Sequence, residues 1–156
     1  MAVDGKSVVN ISFALIDKED IESVFAIEQT AQSHPMSRSI MLSCFSKRYF
    51  NAQMIVDGQV AGFYIGEFVA DESSLIEICV APDFQGKGLG KMLLEHYIAA
   101  AKEKGAMSCW LEVRESNIGA RTLYQRLDFN EVDVRRNYYP TASGHEDAII
   151  MSYFIF

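Results

Sequence analysis

The glycine-rich segment at residues 80–91 has the composition of an anion-binding turn between a buried strand and a helix. Gly86, Gly88 and Gly90 occupy alternate positions, and a backbone without side chains can approach a ligand closely. The helix that follows would present free N–H groups and the positive end of its dipole, which suit an anion such as a pyrophosphate. The spacing matches neither the phosphate loop of nucleoside triphosphatases nor the glycine fingerprint of dinucleotide-binding proteins. A turn without a ligand is the alternative, but three polar residues among the glycines favour a ligand: Gln85, Lys87 and Lys91.

Two residues further along the chain have side chains that could move protons. Glu112 stands in the middle of an apolar strand, where it could act as a general base or simply pair with Arg114 or Lys91. Tyr124 follows Asn117 at a spacing that places both on one side of a helix, two turns apart. From its position alone, Tyr124 fits a core residue and a proton donor equally well.

The composition of the 156-residue chain indicates one soluble globular domain that comprises residues 1–156. Hydrophobic residues make up 49% and charged residues 22%, which is typical of a protein with a substantial apolar core. The formal net charge of −7 argues against a nucleic-acid-binding surface, which would normally be basic. An acidic surface could favour a cationic peptide or amine as substrate, although ordinary solubility is the simpler explanation.

The cysteines and the apolar runs exclude several other classes of protein. Cys44, Cys79 and Cys109 are too far apart to suggest a zinc site or a disulfide framework. The sequence has neither a signal-peptide-like apolar segment nor a run of membrane-spanning length. We therefore expect no metal, no membrane association and a location in the reducing cytoplasm.

The spacing of apolar residues predicts seven strands and four helices in the order β-α-α-β-β-β-α-β-α-β-β. Asp17 and Ser37 are the predicted caps of the first two helices, Asp57-Gly58 is a hairpin turn, and residues 137–146 form a loop between the last two strands. Short turns between the second, third and fourth strands, followed by a crossover helix, predict a mixed, mainly antiparallel sheet with helices on both faces. The predicted strands comprise residues 10–16, 53–56, 60–70, 75–80, 108–114, 129–135 and 147–156.

Residues 80–90, which read V-A-P-D-F-Q-G-K-G-L-G, resemble the acetyl-coenzyme A (acetyl-CoA) motif of the GNAT acetyltransferases. The resemblance continues in W-L-E-V-R-E-S-N at 110–117, R-R-N-Y-Y-P at 135–140 and E-D-A-I-I-M at 146–151, and is strongest from residue 75 onward. Two positions depart from the pattern: Met36 stands where the most similar members of the family often have Trp, and Asp128 replaces the usual Gly after the last helix. Asp tolerates the left-handed conformation better than most residues, so we expect the turn at Asp128 to persist.

The resemblance implies a GNAT fold of the α/β (α+β) type, with a seven-stranded sheet that is splayed between strands 4 and 5. It also implies acetyl-CoA as co-substrate. Its pyrophosphate is expected on the N–H groups of Gln85 through Gly90, its thioester carbonyl at the N–H group of Val80, and its pantetheine arm near Asn117. The residues expected to bind acetyl-CoA are Ile78, Val80, Gln85, Gly86, Lys87, Gly88, Leu89, Gly90, Lys91, Asn117 and Tyr124.

The same resemblance favours catalytic roles for the two proton-moving residues. Glu112 is expected to be the general base, acting through water, and Tyr124 the acid that protonates the CoA thiolate. The residues expected to contact the acceptor are Cys79, Arg114, Tyr138, Tyr139 and Asp147, with Glu28 and Glu67 as further candidates for holding its cationic groups.

Within the family, the chain is similar to enzymes that acetylate the N-terminal alanine of the small-subunit ribosomal protein bS18. An α-amine has a pKa of about 7.7–8, against about 10.4 for lysine, so a single carboxylate base is sufficient for an N-terminus. We therefore expect direct acetyl transfer from acetyl-CoA to a protein N-terminus in a ternary complex, with no nucleic-acid partner. The alternatives are an acetyltransferase for a lysine or a small amine, and a CoA-binding sensor without activity.

Overall fold

The computed structural model describes residues 9–155 and contains one seven-stranded sheet in the order β1-β2-β3-β4-β5-β7-β6. All neighbouring strands are antiparallel except β4 and β5, which are parallel. The strands are β1 (Ile11–Ala14), β2 (Tyr49–Val56), β3 (Gln59–Val69), β4 (Glu72–Val80), β5 (Ser108–Arg114), β6 (Asn130–Thr141) and β7 (Gly144–Phe154). The helices are α1 (Ile21–Ala31), α2 (Arg38–Ser43), α3 (Leu89–Glu103) and α4 (Ile118–Arg126). The predicted order of elements and the fold class are confirmed.

Apolar side chains cover both faces of the sheet. Leu93, Leu94 and Tyr97 of α3 pack with Tyr124 of α4 in one buried cluster, and Val24 and Ile27 of α1 belong to the other. The four helices therefore lie on two sides, as the sequence predicts. No helix within residues 9–155 is long and apolar enough to cross a membrane.

Local signals in the sequence fix most of the element ends. Ser37 caps α2, because its Oγ accepts a hydrogen bond from the N–H group of Ile40 at 3.2 Å. The turn between β2 and β3 has positive φ at both Asp57 and Gly58, 49° and 82°, which matches the twist of a hairpin. Asp17 caps a short 3-10 turn, Lys18–Asp20, that leads into α1.

The predicted loop at 137–146 is wrong, because β6 continues to Thr141 and β7 begins at Gly144. The strand pairing shifts register between Arg135 and Tyr139, and Asn137 has a φ of +53° within this shift. Asn137, which suggested a turn in the sequence, therefore lies in a β-bulge of β6. Pro140 is also tolerated, since β6 is the edge strand of the sheet. The hydrophobic segment at 151–154 belongs to β7, which is a central strand between β5 and β6.

Candidate active site

The parallel strands β4 and β5 separate after three residue pairs, and this splay opens the sheet. The last pair joins Ser74 to Trp110. Beyond it, the edges of β4 and β5 that face each other are left without a strand partner. The splay expected between strands 4 and 5 is thus present, and two clefts open at it. After the roles expected from the sequence, we call the one lined by Val80, Gly88 and Tyr124 the cofactor cleft and the one lined by Glu67, Trp110 and Tyr139 the acceptor cleft.

The backbone amide of Val80 points into this splay. The N–H group of Ala81 donates to the carbonyl of Ala61 on β3 at 2.7 Å, so the neighbouring pair of Gly62 with Val80 is of the non-hydrogen-bonded kind. The polar groups of Val80 therefore face away from β3. Its carbonyl accepts a hydrogen bond from Nε2 of Gln85 at 2.9 Å, which leaves its N–H group available to a ligand.

The glycine-rich turn follows directly and begins α3. Gly86 and Gly88 have φ of 75° and 78°, a conformation that side chains disfavour, and Gly88 is the residue before the helix. The first helical hydrogen bond is the one from Met92 to Gly88, at 3.4 Å. Among residues 9–155, the N–H groups of positions 86–91 meet no acceptor, so they converge as free donors at the positive end of α3.

The cofactor cleft has a volume of about 530 Å³ and includes most of the residues predicted to bind acetyl-CoA. Lys87 and Lys91 do not line it. The Lys87 ammonium lies 5.7 Å from the centre of the Phe84 ring, and that of Lys91 lies 3.9 Å from the Glu95 carboxylate. The predicted residues that line the cleft are Ile78, Val80, Gln85, Gly86, Gly88, Leu89, Gly90, Asn117 and Tyr124.

Helix α4 contributes two side chains to the same cleft. Asn117 is its N-cap, and its Oδ1 accepts a hydrogen bond from the N–H group of Ala120 at 3.2 Å. Tyr124 is 7% exposed, and burial raises the pKa of its phenol, so the hydroxyl is neutral and can donate a proton.

The acceptor cleft lies on the other side of the splay and has a volume of about 480 Å³. Glu112 lines both clefts and therefore stands where the two substrates would meet. Its carboxylate lies 3.0 Å from Nε of Arg135 on β6, so neither Arg114 nor Lys91 is its partner. Tyr139 lines the acceptor cleft too, and burial together with the charge of Glu112 raises the pKa of its phenol to about 12.

Three of the predicted acceptor contacts line neither cleft. Arg114 forms an ion pair with Glu146 at 3.0 Å and covers the Tyr139 ring at 4.4 Å. Asp147 pairs with Arg136 at 3.2 Å, and Tyr138 is 45% exposed on the outer edge of the sheet. Arg114 also donates to the carbonyl of Pro140 at 3.0 Å, and Asp147 accepts the N–H group of Asn137 at 2.9 Å, so these two side chains connect β6 to β5 and to β7.

Cys79 borders the cofactor cleft, but its thiol turns away from the reacting region. The side chain is 4% exposed and packs against α1, 3.9 Å from the carbonyl of Ile27. Burial raises the pKa of the thiol well above its ordinary value, so the reactive thiolate is disfavoured. Glu67 does line the acceptor cleft, where it pairs with Arg48 at 2.6 Å.

Glu77 is the acidic residue of the cofactor cleft that our sequence analysis missed. Its Oε1 accepts hydrogen bonds from Nε2 of Gln32 and from the N–H group of Ile78, both at 3.1 Å. Burial, and then the charge of Glu28, raise the pKa of the Glu77 carboxyl well above its ordinary value. The signal was an acid inside the apolar run of β4, which is the same signal that selected Glu112 on β5.

No group of three His, Cys, Asp or Glu side chains within residues 9–155 is arranged to hold a metal ion. The ionisable side chains at the clefts are carboxylates, phenols, one guanidinium group and the buried thiol of Cys79. Such groups suit proton transfer and the binding of a cationic acceptor.

The chain matches known proteins along most of its length. The model of the acetyltransferase (GNAT) family matches residues 19–129. The [ribosomal protein bS18]-alanine N-acetyltransferase of Salmonella typhimurium is 45% identical over 141 residues, which cover 90% of this chain and 95% of that protein. The Haemophilus influenzae enzyme of the same name is 44% identical over 90% of this chain and 96% of its own.

A solved structure gives the same assignment. The crystal structure of the Escherichia coli ribosomal protein-alanine N-acetyltransferase superimposes with a TM-score of 0.89 at 43% identity and covers 94% of each chain. Both the sequence and the three-dimensional arrangement thus agree with one family over nearly the whole chain. The chain belongs to the GNAT family of acetyltransferases.

Proposed function

We propose that this protein transfers the acetyl group of acetyl-CoA to the N-terminal α-amine of a protein, and that the N-terminal alanine of ribosomal protein bS18 is its substrate. The observation that carries the proposal is the 45% identity, over 90% of the chain, to an enzyme named for that reaction. Residues 1–156 act as one catalytic domain in this proposal. A cytoplasmic location would follow from a ribosomal protein as substrate.

The cofactor cleft suits acetyl-CoA, which supplies the acetyl group as a thioester. The free N–H groups of residues 86–91 match the charge of a pyrophosphate at the start of α3. The open cleft between α3 and α4 leads from this turn to the splay, where Val80 and Tyr124 lie. The N–H group of Val80 would donate to the thioester oxygen as negative charge develops on it.

Glu112 and Tyr124 supply the two proton transfers that acyl transfer to an amine requires. Glu112 lines both clefts and would take a proton from the nitrogen of the attacking amine through a bridging water. Tyr124 carries a neutral hydroxyl at the splay and would donate its proton to the departing thiolate. The amine nitrogen gains the acetyl carbon, the carbon–sulfur bond breaks, and one proton is released to solvent overall.

Two observations favour a peptide over a free amino acid as acceptor. The acceptor cleft is open and continues along the sheet, where Glu67 adds a second acidic side chain to Glu112. Each carboxylate also pairs with an arginine, so an N-terminus followed by a basic residue would share Glu112 with Arg135 and Glu67 with Arg48. Tyr139 forms an aromatic wall beside it.

The proposal is tested by measuring CoA thiol release with three acceptors at equal concentration. A short peptide that begins Ala-Arg should be acetylated, whereas the same peptide with a blocked N-terminus and an internal lysine should not. Spermidine should also remain unmodified. Release with the lysine peptide or spermidine alone would replace the proposal by another acetyltransferase activity, and no release with any amine would favour a CoA-binding sensor.

A cellular measurement then identifies the substrate. The mass of endogenous bS18 should decrease by one acetyl group when the gene is deleted and should recover when the gene is supplied again. An unchanged mass would exclude bS18 as the substrate while leaving N-terminal acetylation itself open to other proteins.

A further inference from the structure

The free edge of β4 in the splay carries four polar backbone groups, which belong to Ile78 and Val80. Tyr64 pairs with Ile78 and Gly62 pairs with Val80, and both pairs are of the non-hydrogen-bonded kind. The N–H and C=O groups of Ile78 and Val80 therefore face β5, whose pairing with β4 has already ended at Ser74. Backbone groups at such an open edge need partners from side chains or from a ligand.

Side chains satisfy three of these four groups. Nε2 of Gln32 donates to the carbonyl of Ile78 at 3.1 Å, and Oε1 of Glu77 accepts the N–H group of Ile78 at 3.1 Å. The carbonyl of Val80 accepts a hydrogen bond from Nε2 of Gln85 at 2.9 Å. Of the four, the N–H group of Val80 is the one without a partner in the stretch 9–155, so it remains for a ligand.

Gln32 and Glu77 also bind each other, which fixes both side chains on the strand edge. Nε2 of Gln32 donates to Oε1 of Glu77 at 3.1 Å, so the amide uses one N–H on Glu77 and the other on Ile78. Gln32 directly follows α1, and its backbone N–H group donates to the carbonyl of Glu28 at 3.2 Å. An amide with two hydrogen bonds, on a residue attached to the end of a helix, thus covers Ile78.

The order of the groups in acetyl-CoA determines which of them meets the Gln32 amide. The free N–H groups of residues 86–91 suit the pyrophosphate and lie beyond the C-terminal end of β4, whereas the N–H group of Val80 suits the thioester oxygen. Acetyl-CoA bound in this way runs antiparallel to β4, and its acyl group points from Val80 toward Ile78. Two residues of a strand span about 6.6 Å, which leaves space for a methyl group and little more before the amide of Gln32.

The residues on the two sides of the splay direct the acyl group toward α1. Glu112 on β5 lines both clefts, so the attacking amine reaches the thioester from the β5 side. Across the splay, the cofactor cleft is lined by Ala31 and Gln32, which are the last residue of α1 and the residue after it. Ala31 is small and leaves space for a methyl group, whereas the hydrogen-bonded amide of Gln32 ends that space.

We propose that Gln32, held by Glu77, limits the acyl group of the co-substrate to two carbons, so that the protein selects acetyl-CoA over CoA thioesters with longer chains. This inference rests on the proposed function, because it places the thioester oxygen at Val80. Gln32 determines specificity through the space it occupies and takes no part in proton transfer. A butyryl group would have to displace the amide and break its two hydrogen bonds, or leave the N–H group of Val80 unpaired.

Binding of CoA thioesters in the absence of an acceptor tests this role without turnover. The protein is titrated calorimetrically with acetyl-CoA, propionyl-CoA and butyryl-CoA. We expect the wild type to bind acetyl-CoA about tenfold or more tightly than butyryl-CoA, because the loss of two hydrogen bonds has a cost of that order. Gln32→Ala should reduce this preference to about twofold, while its affinity for acetyl-CoA should change by less than about threefold.

Gln29→Ala is the matched control, because Gln29 is also a glutamine near the end of α1 but lines neither cleft. Its Nε2 donates to the carbonyl of Met36 at 2.9 Å, so this variant loses a hydrogen bond of the same kind and should keep the wild-type preference. Gln32→Met fills a similar space without the two hydrogen bonds and should prefer acetyl-CoA by about threefold. Thermal unfolding shows whether each variant folds.

Either of two results would overturn the inference: a wild type that binds acetyl-CoA and butyryl-CoA equally, or a folded Gln32→Ala protein that keeps the tenfold preference. A Gln32→Met protein with the full preference would overturn the part assigned to Glu77, because bulk alone would then suffice. These titrations contain no acceptor, so their outcome does not depend on which amine receives the acetyl group. A protein that discriminates between the thioesters but leaves the Ala-Arg peptide unmodified would contradict the proposed function alone.

Transfer to a peptide gives a second readout. With butyryl-CoA as donor and a peptide that begins Ala-Arg as acceptor, kcat/KM of Gln32→Ala should exceed that of the wild type by about tenfold. The KM of the peptide, measured with acetyl-CoA as donor, should stay the same in both proteins. A peptide KM that rises in Gln32→Ala, together with an unchanged preference for acetyl-CoA, would assign Gln32 to acceptor binding and overturn the inference.

Discussion

The two clefts that meet at the splay differ in the groups they offer to a ligand: backbone N–H groups in one and side chains in the other. The cofactor cleft is made of backbone N–H groups, two glycines with positive φ and the N-termini of two helices. The acceptor cleft is lined by residues of the five strands β3 to β7, and its two acids, Glu67 and Glu112, each pair with an arginine. A backbone site offers one rigid shape to one co-substrate, whereas a side-chain site can be changed one residue at a time.

The difference predicts how each cleft responds to mutation. Changes in the cofactor cleft should affect every acceptor equally, because the same acetyl donor is used for all of them. Changes in the acceptor cleft should depend on the peptide. Glu112 lines both clefts and Tyr124 lines the cofactor cleft, and changes at these two residues should affect the chemistry itself.

The largest effect is expected for Tyr124→Phe. Loss of the proton donor should lower kcat by about 100-fold or more, which is the usual contribution of a general acid. The KM for acetyl-CoA should change by less than about threefold, since the ring still fills its place beside Phe129. Thiol release with saturating Ala-Arg peptide measures both constants.

Tyr138→Phe is the matched control, because it removes the same hydroxyl from an exposed ring outside both clefts. Its kcat should equal that of the wild type. A Tyr124→Phe enzyme with the turnover of the Tyr138→Phe enzyme would exclude Tyr124 as the acid.

The next largest effect is expected for Gly88→Ala in the glycine-rich turn. The added methyl group meets no protein atom within 4 Å, but φ of 78° is strained for alanine by about 1 kcal/mol. The backbone should relax and misplace the free N–H groups, so the KM for acetyl-CoA should rise about tenfold for every acceptor.

Gly58→Ala separates strain from binding. Gly58 has φ of 82°, also has no atom within 4 Å of an added methyl group, and lies in the β2–β3 turn. Both variants should lose similar stability in thermal unfolding, but only Gly88→Ala should affect the KM. Equal KM values would indicate that the turn contributes no donors to acetyl-CoA.

The contrast between a backbone site and a side-chain site also explains which features could be predicted from the sequence. The glycine turn, the Asn117 cap and the spacing from Asn117 to Tyr124 are local, because each depends on residues within about two helical turns. In the structure these residues line one and the same cleft. The strand order was predictable for a similar reason, since short turns and one crossover helix fix which strands are neighbours.

The partners of the charged residues were not predictable in this way. Glu112 meets Arg135, and Arg114 meets Glu146, only because β5, β7 and β6 lie side by side in one particular register. Glu77 follows the bulge at Ile76 and meets Gln32, and the bulge near Asn137 lies where a loop was predicted. A bulge changes which face a side chain occupies, and no local pattern in β4 or β6 announces it.

A smaller, peptide-dependent effect is expected in the acceptor cleft. Glu67→Gln should raise the KM of a peptide that begins Ala-Arg by about threefold, since a partly exposed ion pair is worth about 0.2–1 kcal/mol. A peptide that begins Ala-Ala should keep its KM, and the KM for acetyl-CoA should not change. Steady-state kinetics with the two peptides gives the comparison.

Glu131→Gln is the control for this change, because Glu131 also pairs with an arginine, Arg121 at 2.9 Å, but lies outside both clefts. It should alter neither peptide's KM. If Glu67→Gln raised both KM values equally, Glu67 would have a structural role and the acceptor cleft would not select the second residue.

The smallest effect is expected for Asp128→Gly, in the turn that follows α4 and does not line the cofactor cleft. Asp128 ends the turn after α4 with φ of 69°, as expected from its place in the sequence, and the adjacent Phe129 N–H group donates to the carbonyl of Tyr124 at 3.0 Å. Asp128→Gly should relieve the left-handed strain and raise the free energy of unfolding by about 0.5–1 kcal/mol, with both KM values and kcat unchanged. Urea denaturation measures the gain.

Asp57→Gly tests whether relief of left-handed strain accounts for the gain in stability expected for Asp128→Gly. Asp57 also has positive φ, 49°, but its Oδ1 accepts the N–H group of Asn10 at 2.9 Å, so glycine removes a hydrogen bond while it relieves strain. The two terms should nearly cancel, and the stability of this variant should stay within about 0.5 kcal/mol of the wild type. A gain at Asp57 as large as that at Asp128 would mean that the hydrogen bond contributes nothing. A change in kcat at Asp128 would mean instead that the turn sets the position of Tyr124, and that the cofactor cleft is more sensitive to its supporting turns than a rigid backbone site should be.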